Sequence, residues 1–287
     1  MSVVKGWVRS CASRLVRASW AALALASIAS PPASAAEAST FPAKVDAVYR
    51  IAWNGMELGN FVFTSTLKNN EYTLRGETKL SAVMGAFYWS GFTQSLGKLA
   101  SGKPLPAAYA FSFEGSSKSG RIDMRFKKSA VSKVTSVPPI EPSPGRVPVT
   151  QAQLQGVLDP LSAVMAVTAP VEGKVAGVNP CKRRIPVFDG KQRFDLVFTY
   201  ARDEKLQGAD AFVCRVKYVP ISGHKMNKET KFMASTDGIE IWLIPVDEAK
   251  LFVPYYVTLP TPMGAATITS AKVNIDTPGG GRVALTN

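Results

Sequence analysis

Apolar and polar positions alternate along most of the chain. Ala47, Tyr49, Ile51 and Trp53 fall on one side of an extended segment, with Asp46 and Arg50 on the other. Asn54-Gly55 follows, the dipeptide that supplies the two positive-φ positions of a tight hairpin. A second strand is predicted from about Met56 to Lys68. Tyr72, Leu74, Gly76, Thr78 and Leu80 then alternate with Glu71, Arg75, Glu77 and Lys79. The same period of two returns at Tyr109, Phe111 and Phe113, and at Ile122, Met124 and Phe126. It returns after the Asp189-Gly190 turn at Phe194, Leu196, Phe198 and Tyr200, and again at Cys214, Val216 and Tyr218. Asp237-Gly238 leads into Ile239–Ile244, and two last strands are predicted at Leu251–Leu259 and Ala265–Ile275. A side-chain period of two repeated this often is the pattern of an antiparallel all-β protein. One face of each strand is apolar, so the sheet must cover that face or curl around it. The fold class expected is a strongly curved sheet, or an incomplete barrel or spiral, with one or two short helices.

One helix interrupts the strands. Asp159 is a good N-cap, Pro160 suits the first helical position, and Leu161, Val164, Met165 and Thr168 follow at helical spacing. A second short helix is expected at Ser81–Phe87. The Pro-rich stretch 137–148 reads as a connection inside one β-rich domain of residues 37–276, and 277–287, with its three consecutive glycines, as a flexible tail.

Residues 1–36 have the layout of a secretory signal peptide. Lys5, Arg9, Arg14 and Arg17 precede the uncharged run Trp20–Ala29, and Ala33-Ser34-Ala35 offers small residues for cleavage. Pro31-Pro32 ends the run short of the roughly 20 residues of a membrane span. The expected location is therefore the periplasm, with a mature chain that does not span the membrane. The whole chain carries +13, and losing this segment removes four basic and no acidic residues, leaving +9. An exported basic protein meets anionic envelope components rather than nucleic acid.

The chemistry on offer is sparse. Cys181 and Cys214 remain after processing, and two cysteines in an oxidising compartment point to a disulfide. His224 is the one histidine, in a basic loop, and reads as a surface residue. No Gly-x-Ser-x-Gly elbow, P-loop or paired carboxylate set accompanies it, and a zinc site needs about three or four ligands. No catalytic residue, metal or cofactor is expected. The aromatic run Phe87-Tyr88-Trp89, with Phe92, is a candidate lining for a hydrophobic ligand, against the alternative of ordinary core. Lys182-Arg183-Arg184 beside Cys181 is a candidate anion contact, against that of a solvated charge run.

Four segments carry a family resemblance. They are Tyr49–Gly59, Leu158-Asp159-Pro160-Leu161-Ser162, Ile185–Lys191, and Ile241-Trp242-Leu243 with the later Asp247. In that order they resemble a bacterial exported family, the domain-of-unknown-function family 3108, across roughly residues 45 to 275. Glu248 and Ala249 stand between Asp247 and Lys250, where the family pattern places a basic residue directly after the Asp. The resemblance implies an envelope protein and brings no catalytic residues. The expected function is thus non-enzymatic: binding a lipid or other hydrophobic ligand in a concave sheet. The alternative is support of envelope integrity through a protein partner or cell-wall contacts.

Overall fold

The computed structural model describes residues 41–82, 87–206, 209–277 and 279–287. The predicted signal peptide lies outside them. The chain is all-β and antiparallel. Seven strands run as an up-and-down meander: β1 (Lys44–Trp53), β2 (Met56–Lys68), β3 (Glu71–Ala82), β4 (Phe87–Ala100), β5 (Lys103–Gly115), β6 (Ser119–Lys127) and β7 (Ala130–Val137). A long connection holds helix α1 (Pro160–Thr168). A second meander follows: β8 (Arg183–Phe188), β9 (Arg193–Leu206), β10 (Ala209–Ser222), β11 (Glu240–Val246), β12 (Leu251–Thr261) and β13 (Gly264–Asp276). Helix α2 (Lys228–Ser235) sits between β10 and β11. The meanders are joined where β13 pairs with β1, giving the order β7-β6-β5-β4-β3-β2-β1-β13-β12-β11-β10-β9-β8.

Antiparallel order sends successive turns to opposite ends of the sheet. Asn54-Gly55, the turn at 116–118, the 189–192 turn, the α2 loop and Pro262-Met263 lie at one end, called upper here. Asn69-Asn70, Ser101-Gly102, Lys128-Ser129 and the turn at 247–250 lie at the lower end. At the upper end the Asn54 side chain accepts from Ala265 N (2.9 Å) and donates to Met263 O (3.2 Å), locking the first hairpin to the last long one. Asn54 and Gly55 both take positive φ, as the hairpin requires.

The sheet does not close on itself. Its end strands β7 and β8 are spanned by one extended segment of the connection. On one side Gly156 N donates to Ser129 O (2.7 Å) and Gln155 bridges to Ala130. On the other, Leu158 N donates to Pro186 O and Phe188 N to Leu158 O, both at 2.9 Å. Helix α1 begins directly after this strap and lies inside the curve, against β3, β4 and β5 on one side and β8 and β12 on the other. Leu161, Ala163, Met165 and Val167 are all buried, so the helix is apolar nearly all round, as a core helix must be. Cys181, just before β8, is bonded to Cys214 on β10 with Cα atoms 5.1 Å apart and both residues fully buried.

Two expectations are corrected. Residues 277–287 are not a loose tail: Arg282–Thr286 form β14, paired with Lys272–Asp276 of β13. β12 covers β13 only along Gly264–Thr269, and β14 takes the edge that β12 leaves. The alternating Val283 and Leu285 pack against the core there. Nor do the described residues of the second helix expected at Ser81–Phe87 form one: Ser81 and Ala82 end β3 and Phe87 begins β4, while 83–86 lie outside the described residues. Strand pairing wins because Ser81 and Ala82 find partners in Tyr88 and Phe87.

Candidate functional site

The concave face is the candidate site. Period-two alternation sends Val45, Ala47 and Tyr49 of β1 inward, level with Ser65, Phe63 and Phe61 of β2. Leu196 and Phe198 of β9, Tyr218 of β10, Ile241 of β11 and Val257 and Leu259 of β12 face them across the curve. Between the two walls α1 presents Pro160, Ala163, Val164 and Thr168, and α2 adds Met233. Together they enclose a groove of about 510 Å³, partly open to solvent and lined almost wholly by apolar atoms.

Its walls are not equally sealed. Toward the lower end Ala47, Ser65, Leu251, Phe252, Val253 and Val273 are buried and form a floor. Toward the upper end Tyr49, Phe61, Leu196, Tyr218, Ile241, Val257 and Ile268 are only half-buried. Val164, on a helix whose neighbours Ala163 and Met165 are buried, stays 38% exposed because it faces the groove. The half-buried lining thus lies mainly toward the upper end, although Val187 and Ile239 there are buried and Val45 and Phe63 lower down are half-buried. Gly76 on β3 is a reason room exists: a Cβ there would stand 2.7 Å from the Phe61 ring, which leans over it. Polar groups are few. The Tyr49 phenol has no hydrogen-bond partner among the described residues, and burial pushes its pKa well above the ordinary value.

A second buried cluster fastens α1 to the wall. Asp159 is fully buried and caps the helix, its Oδ1 accepting from Leu161 N and Ser162 N at 3.0 Å. Its Oδ2 accepts from Ser95 Oγ (2.8 Å) and Ser162 Oγ (2.6 Å). Tyr72 Oη lies 2.8 Å from Ser162 Oγ. Since the Ser162 proton goes to Asp159, the tyrosine donates here. Gly97 makes space for the Tyr72 hydroxyl, which a Cβ would meet at 2.3 Å. Burial raises the Asp159 pKa against these donors. None of Ser95, Asp159 or Ser162 lines the groove, so the network holds the helix rather than facing a ligand.

The residues singled out from sequence are placed as follows. Phe87, Tyr88, Trp89 and Phe92 are on β4 and none lines the groove. Trp89 stacks on Phe113, ring centres 6.2 Å apart, while Phe87, Tyr88 and Phe92 are exposed. Arg183 is turned inward rather than toward an anion. Its guanidinium donates to Ala166 O (2.6 Å), Val167 O (3.2 Å) and Ala169 O (2.6 Å), capping the C-terminus of α1, and to Pro180 O (2.8 Å). Arg184 pairs with the buried Asp195 at 2.5 Å, and Lys182 is exposed. His224 is not a surface residue: it is 3% exposed, with Nδ1 3.1 Å from Ser222 O. Its loop is drawn in by Val147 N donating to His224 O (2.9 Å) and Gly223 N to Val147 O (2.7 Å). Among the described residues no group of three or more His, Cys, Asp or Glu is placed to hold a metal ion.

The sequence implies an apolar concave face, but the candidate ligand residues it offers, Phe87, Tyr88, Trp89 and Phe92, are none of those that line the groove. Inward-facing side chains alternate identically whether they touch each other or an empty space.

Comparison with known proteins adds a family and a fold. The family model described as "Protein of unknown function (DUF3108)" matches residues 48–270. No curated protein sequence matches. A crystal structure of a β-barrel-like protein of domain of unknown function DUF1849 from Brucella abortus is similar in fold. It shares 12% identity and a TM-score of 0.50, over 82% of this chain and 98% of that one.

Proposed function

The chain belongs to the DUF3108 family, and we propose that it is a non-enzymatic envelope protein that holds the hydrocarbon part of a lipid in the groove beside α1. One observation carries the reading: the upper wall of the groove is made of apolar side chains that the protein itself leaves half-buried around about 510 Å³ of space. That volume falls in the range of about 300–1,000 Å³ typical of small-molecule sites. A cavity with this lining holds water poorly, because water needs polar partners there. Each methylene moved in from water contributes about 0.8 kcal/mol, against an association cost of ~4–15 kcal/mol. Chains of roughly ten or more methylenes are thus favoured over short ones.

Export to the periplasm is part of the same proposal. It rests on the charge and hydropathy pattern of residues 1–36 and suits a buried disulfide between Cys181 and Cys214.

The test uses protein purified from its own host, extracted with organic solvent, and titrated with a fluorescent long-chain fatty-acid probe. Hydrocarbon in the extract and saturable probe binding are expected. Val164→Trp fills the groove from a position the fold leaves exposed, and is expected to weaken the probe by about tenfold or more with the melting temperature kept. No extracted hydrocarbon together with no probe binding refutes the proposal.

A further inference from the structure

Among the described residues that line the groove, Tyr49, Ser65, Thr168 and Tyr218 carry polar side chains, and none is charged. Two of these hydroxyls are partnered within the protein. Thr168 Oγ1 donates to Met165 O (3.0 Å), and Tyr218 Oη to Gln192 Oε1 (3.4 Å). The hydroxyls of Tyr49 and Ser65 have no partner among the described residues.

Both stand on the wall made by β1 and β2. Pairing sets Tyr49 level with Phe61, Ala47 with Phe63 and Val45 with Ser65, so Tyr49 and Ser65 are about 13 Å apart at the rise of a strand. Their surroundings differ. Ser65 is buried on the floor, whereas Tyr49 is half-buried where the body of a ligand passes, its ring centre 6.3 Å from that of Phe61.

A polar atom left unpaired inside a protein costs about 1–3 kcal/mol. Sealed, unpaired donors exist elsewhere in the molecule, on Arg146 and Trp242. The Tyr49 hydroxyl is not one of them, because it is reached from the groove. Burial raises its pKa, so it keeps its proton around neutral pH and meets the groove as a donor.

The rest of the lining narrows the acceptor that suits it. No lysine, arginine or histidine lines the groove, so a carboxylate or phosphate drawn inside would be desolvated without a counter-charge. Pure hydrocarbon would strip water from the hydroxyl and return nothing to it. A neutral carbonyl accepts the proton and brings no charge. We infer that Tyr49 selects the ligand, its hydroxyl donating to an uncharged ester or ketone oxygen set within the hydrocarbon body of the lipid. This rests on the groove as a lipid site and adds the class of lipid: one whose carbonyl is buried and neutral. A free fatty acid fits the same groove with its carboxylate left on the open side, in water.

Displacement of the fluorescent fatty-acid probe by a long-chain methyl ester, and by the n-alkane of matching length, tests it. Tyr49→Phe keeps the ring against Phe61 and removes only the hydroxyl. It is expected to weaken the ester by about three- to tenfold, the size of one net hydrogen bond, and to leave the alkane unchanged. Ser65→Ala is expected to leave both unchanged, since a carbonyl bonded to Tyr49 lies too far from the floor. With an isotope-labelled ester carbonyl, the infrared band of the bound ester is expected at lower wavenumber in wild type than in Tyr49→Phe. Equal weakening of ester and alkane overturns the inference and leaves the tyrosine as packing. So does an ester that binds Tyr49→Phe as tightly as wild type with the same carbonyl band, or one that loses affinity in Ser65→Ala instead. In each of these cases the probe still binds wild type and the groove stands. A wild type that takes up neither probe, ester nor alkane overturns the groove reading along with the inference.

Discussion

At the scale of residues, two polar side chains, the buried Asp159 and the half-buried Arg183, fix α1, one at each end. Asp159 accepts four hydrogen bonds, so Asp159→Ala removes a helix cap and strands the hydroxyls of Ser95 and Ser162. A loss of about 2–4 kcal/mol in urea unfolding is expected. Asp159→Asn keeps the two backbone acceptors and is milder. It also carries a pH signature. Burial raises the folded pKa of Asp159 above the ~3.9 of an unfolded chain. In the window above that value the folded state holds a proton the unfolded state has released, so this group makes stability fall as pH rises. Asparagine has no such loss. The stability of Asp159→Asn relative to wild type should improve from about pH 4 toward neutral. A difference that stays flat with pH would show that the carboxyl is ionised in both states. At the other end Arg183 covers three helix carbonyls with a planar fork that lysine lacks. Arg183→Lys is expected to cost about 1–2 kcal/mol in the same measurement despite its unchanged charge.

At the scale of elements, the C-terminal hairpin gives the clearest test. Val283 and Leu285 of β14 cover the lower core that Val273 and Ile275 belong to. Ending the chain at Asp276 uncovers that cluster and is expected to cost roughly 2–3 kcal/mol, read as a lower melting temperature and faster amide exchange along β13. Unchanged exchange in Lys272–Asp276 would mean that the pairing contributes nothing. This strand was hidden in the sequence because three glycines and a short polar run look like a frayed end, and because the vacancy it fills is created by β12 turning away from β13. Strands whose inner faces are large and apolar were legible: β1, β3, β5, β6, β9 and β10 all announce themselves by alternation. β4 inverts that signal. Its inner positions are Gly91, Thr93, Ser95 and Gly97, small because α1 and the rings of Trp89 and Tyr72 lie over them, and its large residues Phe92 and Leu96 point to solvent. The α1 cap at Asp159 was legible from local chemistry alone, whereas its partner Ser95 lies 64 positions away and no local pattern connects them. The same distance problem hid the role of Arg183 and the burial of His224.

At the scale of the whole molecule, an open sheet keeps its curvature through few closures. The disulfide ties the end of the connection to β10, one strand beyond β9. The strap at residues 155–158 is another closure, and it carries hydrogen bonds to both end strands of the sheet. These two devices have different expected effects. Replacing both cysteines by serine removes a crosslink from the unfolded chain and is expected to lower stability by about 3–4 kcal/mol while leaving the groove's shape in the folded protein. Leu158→Pro removes the amide that donates to Pro186 O and frees the β8 edge from its neighbour. The groove walls sit on opposite sides of that closure, β1 to β3 in one meander and β8 to β12 in the other, with α1 hung directly from the strap by Asp159. Loosening the strap should therefore widen the groove before the core melts. Faster exchange at Phe188, whose amide donates to Leu158 O, together with a weakened fatty-acid probe, is the expected result. A variant that unfolds cooperatively at lower temperature, with probe affinity intact until it does, would show that the strap serves stability alone and that the meanders hold their curvature without it.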